Sequence, residues 1–145
     1  MKESTIKPQL VDALGATRLR DWQFKTYRYG DGKCACGQTI LHRYYFEHEG
    51  KEIIVGSTCR YHFPKYILAR NIVKIATDPL KGMTDGWLVI DFDFLSEWER
   101  KFYSDTYSKR NMTLEQLKWR YIINKKICAQ YDVEVQLSQN MEELI

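Results

Sequence analysis

Hydrophobic and polar residues alternate along much of the first half of the chain, in the manner of β-strands. Residues 22–29 alternate apolar or aromatic side chains with polar ones, which indicates a strand with one buried face. Residues 39–47 and 52–55 predict two more strands, joined by a turn at 48–51 into an antiparallel hairpin. The Gly-Asp-Gly-Lys sequence at 30–33 predicts the turn between the first two strands.

Helical spacing dominates the other segments. A short helix is predicted over 8–14, with proline in its first turn and glycine directly after its end. Residues 64–75 and 94–104 place apolar or aromatic side chains three and four positions apart, which is the spacing of an amphipathic helix. The last helix is expected to begin with a capping box at 113–116.

Two further strands are predicted over 87–92 and 132–137. Asp91 and Asp93 would lie on one side of the first of these strands, where two carboxylates offer a candidate divalent-metal site. Their more common role is to form the solvent side of an amphipathic strand, with Asp93 capping the helix that follows.

The composition favours one globular domain without a membrane span. The chain has 145 residues, of which 44% are hydrophobic and 28% are charged, and this length suits a single domain over 1–145. Within it, a zinc-binding lobe is expected over 16–76 and a mainly helical part, packed on that lobe, over 77–145. No apolar run approaches the roughly 20 residues that cross a bilayer, and no secretory signal is evident, so a cytoplasm is the expected location.

The cysteines carry the clearest chemical signal. Cysteines in a reducing cytoplasm are more often metal ligands than disulfide partners. Cys34 and Cys36 stand in the sequence Cys-Ala-Cys-Gly, and twenty-two residues separate Cys36 from Cys59. The predicted hairpin would return the chain to the first pair, and Cys59 would lie at a helix N-terminus, where the dipole favours a thiolate. We therefore predict one structural zinc ion on these three cysteines.

Two residues compete for the fourth position of a tetrahedral site. His62 follows Cys59 at a spacing that is common in zinc modules, whereas Cys128 is expected on the apolar face of the last helix. Without a role at the metal, His62 would be a surface histidine and Cys128 a small hydrophobic side chain in the core. The order of knuckle, hairpin and helix predicts an α+β fold with a treble-clef-like zinc knuckle and antiparallel hairpins, followed by a mainly helical part.

Charge and aromatic content favour a binding protein over an enzyme. Residues 1–75 carry a net charge of +6 and residues 76–145 a net charge of −3, and aromatic residues are 14% of the chain. An acidic second half would fit the basic groove of a nucleic-acid-handling protein, and its expected contact residues are Asp91, Asp93, Glu97, Glu99 and Asp105.

The alternative function is nucleic-acid binding by the basic first half. Phosphates would be neutralised by seven cationic residues: Arg18, Arg20, Lys25, Arg28, Lys33, Arg43 and Arg60. Bases would stack on tyrosines among Tyr27, Tyr29, Tyr44 and Tyr45.

The sequence does not favour a catalytic role. His42 on the second strand and Asn71 in the following helix suggest a treble-clef nuclease, but the paired His/Asp and the second, helical histidine expected of such enzymes are missing from the sequence. Three or four thiolate-class ligands are typical of a closed structural site. The sequence therefore predicts a protein that is not an enzyme.

The segment over 33–63 resembles a pattern in small phage and prophage proteins: Cys-x-Cys-Gly, a hairpin, then Val-Gly-Ser-x-Cys. Some phage proteins of this size are anti-CRISPR inhibitors. The resemblance thus implies a zinc-stabilised inhibitor of a host macromolecule, with a type II CRISPR effector nuclease as the expected partner. In that pattern a histidine often follows the Cys-Gly pair, whereas this chain has Gln38.

Overall fold

The computed structural model describes residues 6–84, 86–107, 109 and 111–136, except for the side chains of 86 and 87. These residues form a mixed fold with one three-stranded antiparallel sheet and several helices, which confirms the predicted α+β class. The chain divides into two compact units, residues 1–69 and 70–145. No helix in the described ranges is long and apolar enough to cross a membrane.

The elements follow one another as three strands preceded by one helix and followed by four. The strands are β1 (Gln23–Lys33), β2 (Thr39–His48) and β3 (Lys51–Val55). The α-helices are α1 (Pro8–Leu14), α2 (Tyr66–Thr77), α3 (Gly86–Ile90), α4 (Glu97–Asp105) and α5 (Leu114–Gln130).

The sheet has the order β1-β2-β3, so the predicted hairpins are present. β2 is the central strand; its Tyr44, for example, pairs with Tyr27 on one side and with Val55 on the other. Glu49 and Gly50 connect β2 to β3, and both have positive φ, as a tight two-residue hairpin turn requires.

The predicted turn at 30–33 is wrong, because β1 continues to Lys33. Gly32 pairs with Ile40, after a register irregularity that follows Tyr29. A Cβ atom on Gly32 would lie 2.6 Å from the Cδ atom of Arg43, so this glycine makes room for an arginine that crosses the strand. Gly32 therefore accommodates the close approach of the Arg43 side chain and does not form a turn. The chain reverses its direction only after Lys33.

Aromatic side chains form the core of the first unit. Phe46 is fully buried and stacks on Phe63 with ring centroids 4.3 Å apart, while Phe24 approaches Phe46 edge-on at 5.9 Å. Trp22 is also buried, and its Nε1 donates a hydrogen bond of 2.8 Å to Thr17 Oγ1. These residues pack one face of the sheet and hold the strands that position the cysteines.

The second unit is helical in its described part. Two strand predictions are wrong there: residues 86–90 form α3, and no strand is found over 132–136, while residue 137 lies outside the described residues. The capping box that opens α5 is confirmed, since Thr113 and Gln116 bond each other's backbone amides. A short apolar run has no periodicity that separates a buried strand from one helical turn, which explains the error over 87–92.

A buried polar network ties α4 and α5 to the loop after α2. The Asn124 side chain is completely buried and donates hydrogen bonds to the carbonyl oxygens of Pro79, at 2.8 Å, and Gly82, at 2.9 Å. Its own oxygen accepts a bond of 2.8 Å from the Tyr103 hydroxyl, which in turn accepts one from the Thr84 backbone amide. The network fixes a loop that has no regular structure of its own.

Glu99 makes a second polar link between α4 and α5. It is only 5% exposed, pairs with Lys126 at 2.7 Å and accepts a bond of 2.9 Å from the Ser96 amide. Burial raises the pKa of this carboxyl, but the hydrogen bonds from Lys126 and Ser96 outweigh burial and leave the pKa below its ordinary value.

Glu99→Gln is expected to lower the free energy of unfolding by about 2 kcal/mol at neutral pH, because the partly buried hydrogen bond from Lys126 loses its charged acceptor. The folded-state pKa is depressed, so the ion pair contributes fully above the ordinary pKa of 4.5 and is lost as pH falls through the folded-state value. Urea unfolding over an acidic pH series should show the difference between wild type and variant shrinking. Asp105→Asn, which breaks the exposed pair with Lys101, is the matched control and should change stability much less. If the difference in unfolding free energy between wild type and Glu99→Gln stays constant as the pH falls, this role of Glu99 is contradicted.

Candidate metal centre

Two neighbouring cysteines and a third from beyond the β2–β3 hairpin meet in the first unit. The sulfur atoms of Cys34, Cys36 and Cys59 all lie within 4.8 Å of one another, and all three residues are buried. Among the described residues, this is the one group of three or more histidine, cysteine or acidic side chains that is placed to hold a metal ion. The three-cysteine part of the predicted site is therefore assembled by the fold.

The first two thiols are held by a tight turn between β1 and β2. The Cys34 amide donates to the Gln38 carbonyl at 2.9 Å, and the Gly37 amide donates to the Cys34 carbonyl at 2.8 Å. Gly37 has a φ of 93°, which disfavours any residue with a Cβ. The Cys36 amide nitrogen lies 3.5 Å from Cys34 Sγ, so the backbone offers a hydrogen bond to sulfur.

The third thiol comes from the segment that follows β3. Cys59 begins a 3₁₀ turn, Cys59–His62, and Arg60 anchors that turn by donating its amide to the Gly56 carbonyl at 3.0 Å. The Ala35 amide donates to the Ile54 carbonyl at 2.8 Å, which attaches the turn that carries Cys34 and Cys36 to the end of β3. The hairpin thus returns the chain to its starting point, as the sequence predicted.

The three thiols have unequal electrostatics. Burial raises the pKa of the Cys36 thiol, but hydrogen bonds from the Gln38 backbone and from the other two thiols, together with the charge of Lys7, bring it below its ordinary value. Burial and the neighbouring thiols raise the pKa of Cys59 to about 12. Three thiolates at this distance repel one another, so full deprotonation of the cluster needs a bound cation.

The cluster has nearly the dimensions of a metal site. Tetrahedral Zn–S bonds of about 2.3 Å place neighbouring sulfurs about 3.8 Å apart, and this separation falls within the 4.8 Å limit of the cluster. The Lys7 ammonium lies 3.8 Å from Cys36 Sγ, where it offsets the negative charge of a thiolate site. Burial, spacing and a compensating cation are all compatible with a bound metal ion.

Neither candidate for the fourth ligand belongs to the group of three thiols. His62 is half-buried and ends the 3₁₀ turn that Cys59 begins. Cys128 is buried in α5, and its thiol donates to the Ile72 carbonyl at 3.9 Å within the second unit. The choice between them stays a prediction.

The residues that the sequence suggested for catalysis or for a second metal site do not belong to the three-cysteine group. His42 is exposed on β2, and its Nδ1 shares a hydrogen bond of 2.6 Å with the Tyr27 hydroxyl. Asn71 is buried in α2. Asp91 and Asp93 are exposed in the turn after α3, and Ser96, rather than Asp93, caps α4.

A small pocket of about 160 Å³ opens beside the cysteine cluster. Cys34 and Cys59 form one part of its wall, and His42 forms another. The remaining lining combines apolar Ile40 and Leu41 with polar groups from Gln38, Ser57 and Thr58.

Sequence reasoning missed the contribution of Lys7. This residue is separated by 29 positions from Cys36 and belongs to no recognisable motif, so only the packed structure reveals the contact. Searches against protein-family models, curated proteins and solved structures found no match for this chain.

Proposed function

We propose that this chain is a non-enzymatic, zinc-stabilised protein that binds and inhibits a host macromolecule. The specific target suggested by the phage-like cysteine pattern is a CRISPR effector nuclease, whose loading with nucleic acid the protein would block. The proposal also includes a treble-clef-like arrangement of the segments that carry the zinc site. The observation that carries the binding role is an exposed pair of tryptophans on α4 and α5.

Zinc is the metal that best suits the cluster. Thiolates favour soft or borderline metals, and a structural zinc site commonly combines three cysteines with one histidine. Such a site has a net charge of −1, which the neighbouring Lys7 ammonium offsets. Bound zinc would fix β1, β2 and the segment after β3 together, and this is a structural rather than a catalytic role.

His62 is the more favourable fourth ligand. It lies on the same short turn as Cys59, so binding requires no rearrangement of a distant segment. Cys128 lies on a different segment of the chain, in α5, and its thiol already donates a hydrogen bond to the Ile72 carbonyl at 3.9 Å.

The tryptophan pair has the chemistry of a protein-binding hot spot. Trp98 is 51% exposed and Trp119 is 37% exposed, and their ring centroids lie 4.9 Å apart in an edge-to-face arrangement. Phe102 stacks on Trp98 at 5.4 Å, which extends the aromatic patch along α4. Tryptophan is strongly enriched among residues that dominate binding energy, and rigid paired rings lose little entropy on binding.

Besides the tryptophan pair, exposed acidic residues of the second unit would contribute to partner recognition. Asp91, Asp93 and Glu97 are exposed and offer carboxylates to a basic groove. The expectation from the sequence that Glu99 contributes to this surface is wrong, because its carboxylate is buried against Lys126 and the Ser96 amide. Exposed charges at a rim mainly accelerate association, whereas buried aromatic anchors set the lifetime of the complex.

The proposal is tested by mixing the protein with a purified type II effector nuclease and measuring how much labelled guide RNA or target DNA the nuclease binds. We expect inhibition that saturates near one inhibitor per nuclease. Trp98→Ala with Trp119→Ala should weaken the complex at least ten-fold, the scale of a hot-spot loss above about 1.4 kcal/mol. Asp93→Lys with Glu97→Lys should slow association, most visibly at low salt.

Ile90→Ala is the matched control, since Ile90 is exposed on α3 and is not part of the aromatic patch. It should inhibit like the wild type. Destruction of nucleic acid or nuclease by substoichiometric amounts of the protein would reject the non-enzymatic proposal. Absence of any complex with the nuclease would reject this target.

A further inference from the structure

The first unit carries a continuous series of aromatic and cationic side chains, which we call the tyrosine array. Its members are Tyr29, His42, Tyr27, Tyr44, Arg60 and Tyr61, in spatial order. Each successive pair has its ring centroids, or a ring centroid and the guanidinium carbon, between 4.7 and 5.9 Å apart. Strand pairing and the 3₁₀ turn after β3 bring these residues together from three separate segments of the chain.

The tyrosine array lies on the same face of the sheet as the core residues and extends from the core to positions that are exposed to solvent. Tyr44 is buried at its centre, whereas Tyr29 is 63% exposed and Tyr61 is 55% exposed at its two ends. His42 is exposed as well. Aromatic rings that extend beyond a packed core on a rigid sheet present flat faces to solvent, and a flat partner would cover them.

Hydrogen bonds hold these rings in fixed orientations. The Tyr27 hydroxyl is bonded to His42 Nδ1 at 2.6 Å, and their rings are stacked. The Arg60 guanidinium lies over the Tyr44 ring and donates to the Tyr44 hydroxyl. The array is therefore organised before any ligand arrives, which reduces the entropy lost on binding.

Positive charge exceeds negative charge in the first unit, and one arginine lies within the array. The Arg60 guanidinium carbon lies 4.7 Å from the Tyr44 ring centroid and 5.2 Å from that of Tyr61. Within the described part of the chain, Arg60 has no carboxylate partner, and its buried Nε lacks a hydrogen-bond acceptor. Residues 1–69 contain eleven lysines and arginines against seven acidic residues, a net charge of +4.

We propose that the tyrosine array binds single-stranded nucleic acid, with unpaired bases stacking on Tyr29, His42 and Tyr61 and with Arg60 facing the phosphates. Exposed aromatic rings beside an arginine that lacks a carboxylate partner match the two requirements of single-strand binding, a stacking platform and positive charge along it. A duplex keeps its bases stacked inside the helix and cannot use the rings. A proline-rich peptide would use the rings but would leave the arginine without a counter-charge.

The pocket beside His42 adds hydrogen-bonding groups at one end of the array. Gln38, Ser57 and Thr58 line it next to the His42 ring, together with the apolar side chains of Ile40 and Leu41. A base stacked on His42 therefore has side-chain donors and acceptors within the same concave surface, where they can bond its edge.

The test is fluorescence anisotropy of a labelled oligothymidylate of about 16 nucleotides, the upper end of the usual site size of one small domain. The full-length, metal-loaded chain is titrated at several salt concentrations, without any nuclease. Tyr29→Ala and Tyr61→Ala should each weaken binding about 5- to 150-fold, the range for removal of one stacking ring. Arg60→Gln should flatten the salt dependence by about one phosphate contact.

Two variants separate stacking from non-specific attraction. Tyr29→Phe keeps the ring and should bind like the wild type, and Tyr107→Ala, at an exposed tyrosine of the second unit, should leave affinity unchanged. Equal losses in Tyr29→Ala and Tyr107→Ala, or equal affinity for duplex and single strand, would overturn the proposal. Binding of a proline-rich peptide with no binding of the oligonucleotide would overturn it as well. None of these outcomes depends on nuclease inhibition, so this proposal and the proposed function can fail separately.

Discussion

Cys34→Ser, Cys36→Ser and Cys59→Ser are each expected to abolish stoichiometric metal binding and to destabilise the first unit by several kcal/mol. A serine hydroxyl does not ionise near neutral pH, so the variant loses one of the three ligands that meet within 4.8 Å. Apparent binding energies of structural zinc reach about 10–16 kcal/mol in small modules, which is comparable with the whole stability of a domain. The loss of metal should therefore resemble partial unfolding.

The measurement combines elemental analysis with thermal unfolding, before and after treatment with a chelator. The wild type should contain about one zinc per chain and should lose its thermal stability when the zinc is removed. Cys128→Ser keeps a hydrogen-bond donor beside the Ile72 carbonyl and is the matched control for removing a thiol. His62→Ala should lose zinc while Cys128→Ser retains it.

The reverse result for these two variants would move the fourth ligand to Cys128. Full zinc content and unchanged melting temperature in both would remove both candidates. Wild-type protein without stoichiometric zinc would contradict the metal proposal itself, whatever the variants do.

Asn124→Ala is expected to lower the free energy of unfolding by about 3–5 kcal/mol. The substitution leaves the carbonyls of Pro79 and Gly82 and the hydroxyl of Tyr103 without their buried partner. Each orphaned group costs about 1–3 kcal/mol, and the terms do not add fully because they share one side chain. Urea denaturation followed by circular dichroism measures the change.

Three comparisons make the Asn124 result specific. Tyr103→Phe removes one member of the network and should cost about 1–2 kcal/mol. The double variant should cost less than the sum of the two single variants, because Tyr103 and Asn124 share a hydrogen bond of 2.8 Å. Asn124→Asp should be nearly as harmful as alanine, since a carboxylate cannot donate to two carbonyls. Near-neutral effects of both substitutions at 124 would contradict the network's role.

Local signals in the sequence predicted local structure well. The glycine after α1, the hairpin of β2 and β3 and the capping box of α5 all rely on neighbouring residues, and each is present. The pairing of Cys34 with Cys36 was also visible locally. The long return to Cys59 followed from the hairpin, because two antiparallel strands bring their ends together.

Features that depend on tertiary contacts escaped prediction. Gly32 looks like a turn residue until the Arg43 side chain that crosses it is known. Asn124 lies four positions before Cys128, on the helix face expected to be apolar. Its partners could not be predicted, because they are backbone carbonyls more than forty positions earlier, which have no sequence signature. Glu99 likewise looks like an exposed acid, although the fold buries it against Lys126.

The Trp98–Trp119 pair gives the second unit an optical signature of its own. Indole rings with centroids 4.9 Å apart and planes inclined by 67° have electronic transitions that couple, so the two rings contribute to circular dichroism as a unit. Trp22 is buried, and its fluorescence comes from an apolar environment, whereas the pair emits from the protein surface. A small change in the separation of α4 and α5 therefore alters the light that this protein absorbs and emits, without any attached label.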